Sequence, residues 1–70
     1  MRFSYDDEAD IAYLRFFELP ERAEGASDSV AVESPASRGG IVLDFNLEGH
    51  LIGIEVMNAR AQLPPEAFEA

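Results

Sequence analysis

A small antiparallel β-meander of four to five strands with a short C-terminal helix, an α+β fold that is mostly β, is what this sequence predicts. Three features predict it. Several segments alternate apolar and polar residues, residues 39–59 read as a hairpin with its own turn chemistry, and a proline pair opens a helix near the C-terminus.

The hairpin organises the rest. Ile41–Phe45 and Leu51–Met57 are rich in β-branched and aromatic residues, which suit a pleated surface. Between them Asn46 opens a type I turn over Leu47 and Glu48, its side chain bonding back onto the turn. Gly49 then takes the left-handed conformation of a bulged three-residue loop. With Asn46 and His50 flanking the turn, Phe45 pairs with Leu51, Leu43 with Gly53 and Ile41 with Glu55. One face then carries Ile41, Leu43, Phe45, Leu51 and Met57. The other carries Val42, Ile52, Ile54 and Val56, with Asp44, Asn46 and His50 gathered near the turn. Both faces are apolar enough to need a cover.

The other elements follow in order. Met1–Asp6 alternates with the period of a half-buried strand, Met1, Phe3 and Tyr5 on one side and Arg2, Ser4 and Asp6 on the other. Asp7-Glu8-Ala9 is a polar break. Ile11–Phe17 is a second strand: helix is the rival, but Ile11, Leu14, Arg15 and Glu18 make a poor apolar stripe. Leu19-Pro20 ends that strand, since proline cannot donate to a ladder. Glu21–Asp28 is a polar, small-residue loop. Ser29–Glu33 is a short third strand stopped by Ser34-Pro35, and Ala36–Gly40 leads into the hairpin. Beyond Asn58, Pro65 suits the first helical position, Glu66 complements the helix dipole, and Leu63 can staple to Phe68. This one- or two-turn helix covers one sheet face and cannot cover both.

Seventy residues allow one domain, 1–70. A chain of this size buries only about 60% of its unfolded surface, so disulfides, a metal or association must help. Cysteine is absent and there is one histidine, which excludes disulfides and thiolate sites and leaves no zinc ligand set. Association is the remaining support. Fourteen acidic residues against five arginines and no lysine give a net charge of −9. That balance repels phosphate backbones, so direct nucleic-acid binding is not expected; it suits a basic protein partner or simple solubility. No stretch approaches the roughly 20 apolar residues of a membrane span, and the N-terminus lacks the apolar run of a secretory signal. A cytoplasmic protein is expected.

Candidate sites each have a plain structural reading beside the chemical one. Asp6, Asp7, Glu8 and Asp10 are dense enough in carboxylates to interest a hard cation, but aspartates also cap turns through their own backbone. Asp44, Asn46 and His50 bring a carboxylate near histidine, the raw material of acid–base catalysis, yet at a hairpin tip with no nucleophile. Glu55 stands inside an apolar strand and needs a partner, for which Arg15 is the natural choice. Gly53 allows close approach of a bulky side chain such as Tyr13 or Phe45.

Two runs of residues carry a resemblance. Tyr5-Asp6-Asp7-Glu8-Ala9-Asp10-Ile11-Ala12-Tyr13-Leu14, and Gly40 with Asp44-Phe45, Gly49, Ile52-Gly53-Ile54-Glu55 and Ala59, resemble the small prokaryotic proteins catalogued as domain of unknown function 2283. The resemblance spans nearly the whole chain apart from the polar stretch between Leu19 and Ser29. It implies a small sheet domain and no catalytic residues. Some relatives are encoded beside small basic proteins resembling ribonuclease toxins, which implies an antitoxin-like, partner-binding role; this chain departs from many antitoxins in having no appended DNA-binding region.

The expected function is therefore a non-enzymatic interaction module that forms a homodimer or larger assembly and binds a small basic partner, with no cofactor or metal. Tyr5, Asp6, Glu8, Asp10, Leu43, Phe45, Leu51, Gly53 and Glu55 are its candidate interaction or signature residues. The alternative is a metal-assisted hydrolase using the acidic cluster and His50.

Overall fold

The computed structural model describes residues 1–16, 26–36 and 38–69. Five antiparallel strands form one sheet: β1 (Arg2–Asp6), β2 (Ile11–Arg15), β3 (Asp28–Glu33), β4 (Gly40–Phe45) and β5 (Leu51–Met57). The second strand ends earlier than expected, at Arg15, with Phe16 in a bend whose N–H donates to the Ile52 carbonyl at 3.2 Å; Phe17, the stop at Leu19-Pro20 and the polar run from Glu21 to Gly25 lie outside the described residues. The sheet order is β1-β2-β5-β4-β3. Consecutive pairing is thus broken once. β2 lies beside β5, and β3 forms the edge opposite β1.

Register is where the structure departs from the expected hairpin. Phe45 does pair with Leu51, but a bulge beside Asp44 and Phe45 then shifts the ladder, so that Asp44 faces Gly53, Leu43 faces Ile54 and Ile41 faces Val56. The extra residue is Ile52, which is buried. A one-residue slip sends every following side chain to the other face. Two half-apolar faces are thereby sorted into one apolar and one largely polar face. The apolar face carries Phe3, Tyr5, Ala12, Leu14, Ile54, Val56, Ile41, Leu43, Val30 and Val32 in register. The opposite face carries Arg2, Ser4, Tyr13, Arg15, Gly53, Glu55, Asp44 and Ser29, with Ile11, Val42 and Met57 among them. The need for two covers disappears because Ile54 and Val56 join Ile41 and Leu43, while Glu55 joins the polar side.

The turn after β4 forms as its residues dictate. Gly49 has φ 82°, its N–H donates to the Asn46 carbonyl at 2.9 Å, and Asn46 Oδ1 accepts from the N–H groups of Glu48 and His50 at 3.0 and 2.9 Å.

After β5 the chain turns at Asn58, which adopts the left-handed conformation (φ 50°) that asparagine tolerates better than most residues. A one-turn helix, α1 (Ala59–Gln62), follows, and then a 3₁₀ turn over Pro65–Phe68 at the expected proline. The Gln62 amide donates to the carbonyls of Met57 (2.6 Å) and Gly40 (3.1 Å), and the Asn58 amide to that of Arg38 (2.6 Å). These side chains fasten the C-terminal segment across one end of the β4–β5 pair. From there it runs over the apolar face.

Candidate functional site

The acidic run after β1 is a turn that has spent its carboxylates on itself. Asp6 Oδ1 accepts from the N–H groups of Glu8 (3.0 Å) and Ala9 (3.3 Å). Asp10 supplies the left-handed residue (φ 56°) that a glycine would otherwise provide. Its side chain then works at long range: Oδ1 accepts the Tyr5 hydroxyl at 2.8 Å and the Arg60 backbone N–H at 3.0 Å, while its carbonyl accepts the Ala59 N–H at 3.0 Å. The Arg60 guanidinium lies 4.1 Å from the Phe68 ring centroid and 5.1 Å from that of Tyr5, and its Nε donates to the Tyr5 hydroxyl at 3.3 Å. Phe68 meets Tyr5 and Phe3 edge-on, at 4.8 and 6.3 Å between centroids. The signature turn is thus a latch for the C-terminal segment. The hydrogen bond to Asp10, more than partial desolvation, raises the Tyr5 pKa.

On the polar face, Asp44 is the hub. It is only 7% exposed, and each carboxylate oxygen has a hydroxyl donor: Tyr13 at 3.0 Å to Oδ2 and Ser29 at 2.7 Å to Oδ1. Ser29 faces Asp44 on the adjacent strand β3, while the Tyr13 bond reaches from β2 to β4 across the bare backbone of Gly53 on β5. Burial, then the hydrogen bond to Asp44 and its negative charge, push the Tyr13 hydroxyl up, and Arg15 partly opposes them. The Arg15 guanidinium stands 5.6 Å from the Tyr13 ring centroid. Beyond it, Arg2, Ser4, Tyr13 and Arg15 line an open concavity of about 340 Å³.

The apolar face is only partly roofed. Leu63 and Ala67 of the C-terminal segment meet Phe3, Ala12, Leu14, Ile54 and Val56 around a groove of about 350 Å³. The β3 side has no roof among the described residues: all six residues of β3 are exposed.

Several expectations change here. Asp44 and His50 do not form a dyad, because Asp44 is buried under Tyr13 and bonded to Ser29, while His50 is exposed at the turn. Arg15 does not face Glu55 across the ladder; it faces Gly53, while Glu55 faces Tyr13 and Val42, so arginine and glutamate are diagonal neighbours. The metal-assisted hydrolase needed converging carboxylates. Asp6 and Asp10 are turned onto their own loop and its latch, and among the described residues no group of three or more His, Asp or Glu could hold a metal ion. Gly53 is approached by Tyr13, as its position suggested. Glu8 is exposed, and Leu43, Phe45 and Leu51 are half-buried about the bulge and the apolar face. Ser29 and Arg60 are not singled out by sequence. The nearest signal is that a tyrosine and an aspartate each sit in an apolar strand and so require polar partners.

A family model described as "Protein of unknown function (DUF2283)" matches residues 2–60. The chain belongs to this family. The DUF2283 match takes in all five strands, the Asp10 latch and the Tyr13–Gly53–Asp44 group, and ends at Arg60. Searches of curated proteins and of solved structures gave no significant match. No helix among the described residues is long and apolar enough to cross a membrane.

Proposed function

We propose that this DUF2283 chain is a cytoplasmic, non-enzymatic protein–protein interaction module that self-associates and holds a small basic partner, an antitoxin-like role. The observation that carries this reading is the unfinished apolar layer. Among the described residues no large side chain is fully buried, while Phe3, Val30 and Val32 are 42%, 49% and 43% exposed. A chain this small has little stability to spare, and covering such residues is worth roughly 1.5–3 kcal/mol each. Partner chemistry follows from the margin of the patch. Val30 and Val32 lie between Asp28 and Glu33, on a chain of net charge −9. A basic segment with an apolar stripe complements both features.

Two measurements test it. Light scattering coupled to size exclusion should give a mass of more than one chain, and a one-chain mass at all concentrations removes the self-association. Titration with a basic amphipathic peptide, followed by amide NMR shifts, should perturb Val30, Val32 and Leu43, weaken with salt and be lost in Val32→Glu. Shifts confined to the Asp7-Glu8 turn, or none, would remove the partner site.

A further inference from the structure

β1 closes one end of the sheet and β3 the other, so each leaves a row of backbone groups without a strand partner among the described residues. The two edges differ in what they offer a second copy. β3 reads Asp-Ser-Val-Ala-Val-Glu and contains no cation. Turned on itself about Ala31, it sets Val30 opposite Val32 and Ser29 opposite Glu33, so no cation meets the acidic ends Asp28 and Glu33. β1 reads Arg-Phe-Ser-Tyr-Asp. Turned on itself about Ser4, it sets Arg2 opposite Asp6 at both ends and Phe3 opposite Tyr5 between them. Charge matches charge on the polar face, and aromatic matches aromatic on the other. Moving the axis to Phe3 or Tyr5 loses this: Arg2 then opposes Ser4, or Ser4 opposes Asp6, and neither ion pair forms.

A second observation points the same way. Within the chain, Arg2 lies directly across from Arg15, an arrangement of like charges that destabilises a ladder. Arg2, Ser4, Tyr13 and Arg15 line the concavity of about 340 Å³, and the hydrogen bonds found among the described residues include neither guanidinium. A cationic, hydroxyl-lined recess on an acidic protein is built for a carboxylate. Arg2, Phe3, Ser4 and Asp6 are exposed along the same edge.

We infer that a second copy of this chain pairs antiparallel along β1 with Ser4 on the two-fold axis, and that Asp6 of the second copy is the anion set beside Arg2. This rests on the self-association proposed above and names its surface. The join continues the sheet across the axis. It covers Phe3 with the Tyr5 of the second copy, and it brings the two Phe68-capped aromatic clusters together. The β3 side, with Val30 and Val32, stays free for the basic partner.

The chain has no cysteine, which permits a direct test. Ser4→Cys places one thiol on the axis, within the Cα separations a disulfide accepts; Ala31→Cys, at the centre of β3, is the control. Under mild oxidation Ser4→Cys should give a covalent two-chain species at least about tenfold faster than Ala31→Cys. In the unmodified chain, Arg2→Asp should weaken the dimer at least about tenfold, since carboxylates then oppose carboxylates at both ends. Asp6→Arg alone should do the same, and an equimolar mixture of the two variants should recover a two-chain mass. Circular dichroism confirms that each variant is folded; should Asp6→Arg lose its turn cap and unfold, Arg2→Asp and the cysteine pair decide alone. A dimer unmoved by Arg2→Asp, or faster cross-linking at Ala31→Cys, overturns the β1 join and leaves self-association standing. A wild-type mass of one chain at every concentration overturns both.

Discussion

The ring of Tyr13 fills the space that a side chain at Gly53 would occupy. A Cβ built on Gly53 would collide with the Tyr13 hydroxyl and come within 2.6 Å of Cζ and 2.8 Å of Cε1. An aromatic ring laid over a glycine on the neighbouring strand restores the packing that the glycine gives up. Here it also carries the hydroxyl across β5 to Asp44 on β4. Gly53→Ala should therefore lower stability by about 1–3 kcal/mol, as overpacking does. In a Tyr13→Ala background the same change should be close to neutral, giving a coupling visible in a urea double-mutant cycle. Equal costs in the two backgrounds would show that the glycine serves something other than the tyrosine.

The two tyrosines and the absence of tryptophan make an ultraviolet titration readable. Both hydroxyls are raised above the ordinary value of 10.0, Tyr13 by burial and its bond to Asp44, and Tyr5 by its bond to Asp10. A group whose folded pKa is raised binds its proton more tightly in the folded state. Its stabilisation is complete below about pH 10 and is lost as pH climbs through the folded value. Tyrosinate absorbance should thus appear later in the native protein than in urea, and urea midpoints should fall with pH beyond that point. Tyr13→Phe should flatten part of that fall. Coincident native and urea titrations would contradict both hydrogen bonds.

Arg60 joins the C-terminal segment to the first turn through two rings and the Tyr5 hydroxyl. Arg60→Ala keeps the backbone bonds to Asp10 but loses the stacked cation, at a cost of about 0.5–1 kcal/mol for an exposed contact. Amide exchange should quicken at Leu63, Ala67 and Glu69, whose N–H groups hold this segment's turns, while the β4–β5 ladder stays protected. Uniform quickening across the sheet would mean that the latch is part of global stability and not a local fastening.

Gly49 stands at φ 82° with open space around it. Gly49→Val therefore meets no clash, and its cost is conformational alone, roughly 1 kcal/mol or more for a β-branched residue at positive φ. Thermal or urea unfolding measures it. A neutral result would place the strain elsewhere in the turn.

What was legible in the sequence is what is settled within a few residues. Period-two alternation marked the strands, Asn46 and Gly49 fixed the tight turn, Pro65 opened the last 3₁₀ turn, and the aspartates after β1 announced a self-capped loop. The helix turn at Ala59–Gln62 was not legible; it depends on Asn58 accepting a left-handed backbone and on Asp10 holding the N–H groups of Ala59 and Arg60 from far along the chain.

By itself, then, the sequence determined the strands, the central turn and the family. Only the tertiary structure decided which face each side chain joined. The turn fixes Phe45 against Leu51, and nothing local distinguishes a straight ladder from one with Ile52 bulged out. The choice is made by β2 and β3. Once Ala12 and Leu14 lie beside Val56 and Ile54, and Val30 and Val32 beside Leu43 and Ile41, the bulge gathers Ile41, Leu43, Ile54 and Val56 on the one face that the C-terminal segment crosses. It leaves Glu55 toward water and sets Asp44 over Gly53, within reach of Tyr13 and Ser29. Burial of apolar surface and satisfaction of one buried carboxylate are properties of the whole sheet, and both are met by the same one-residue shift.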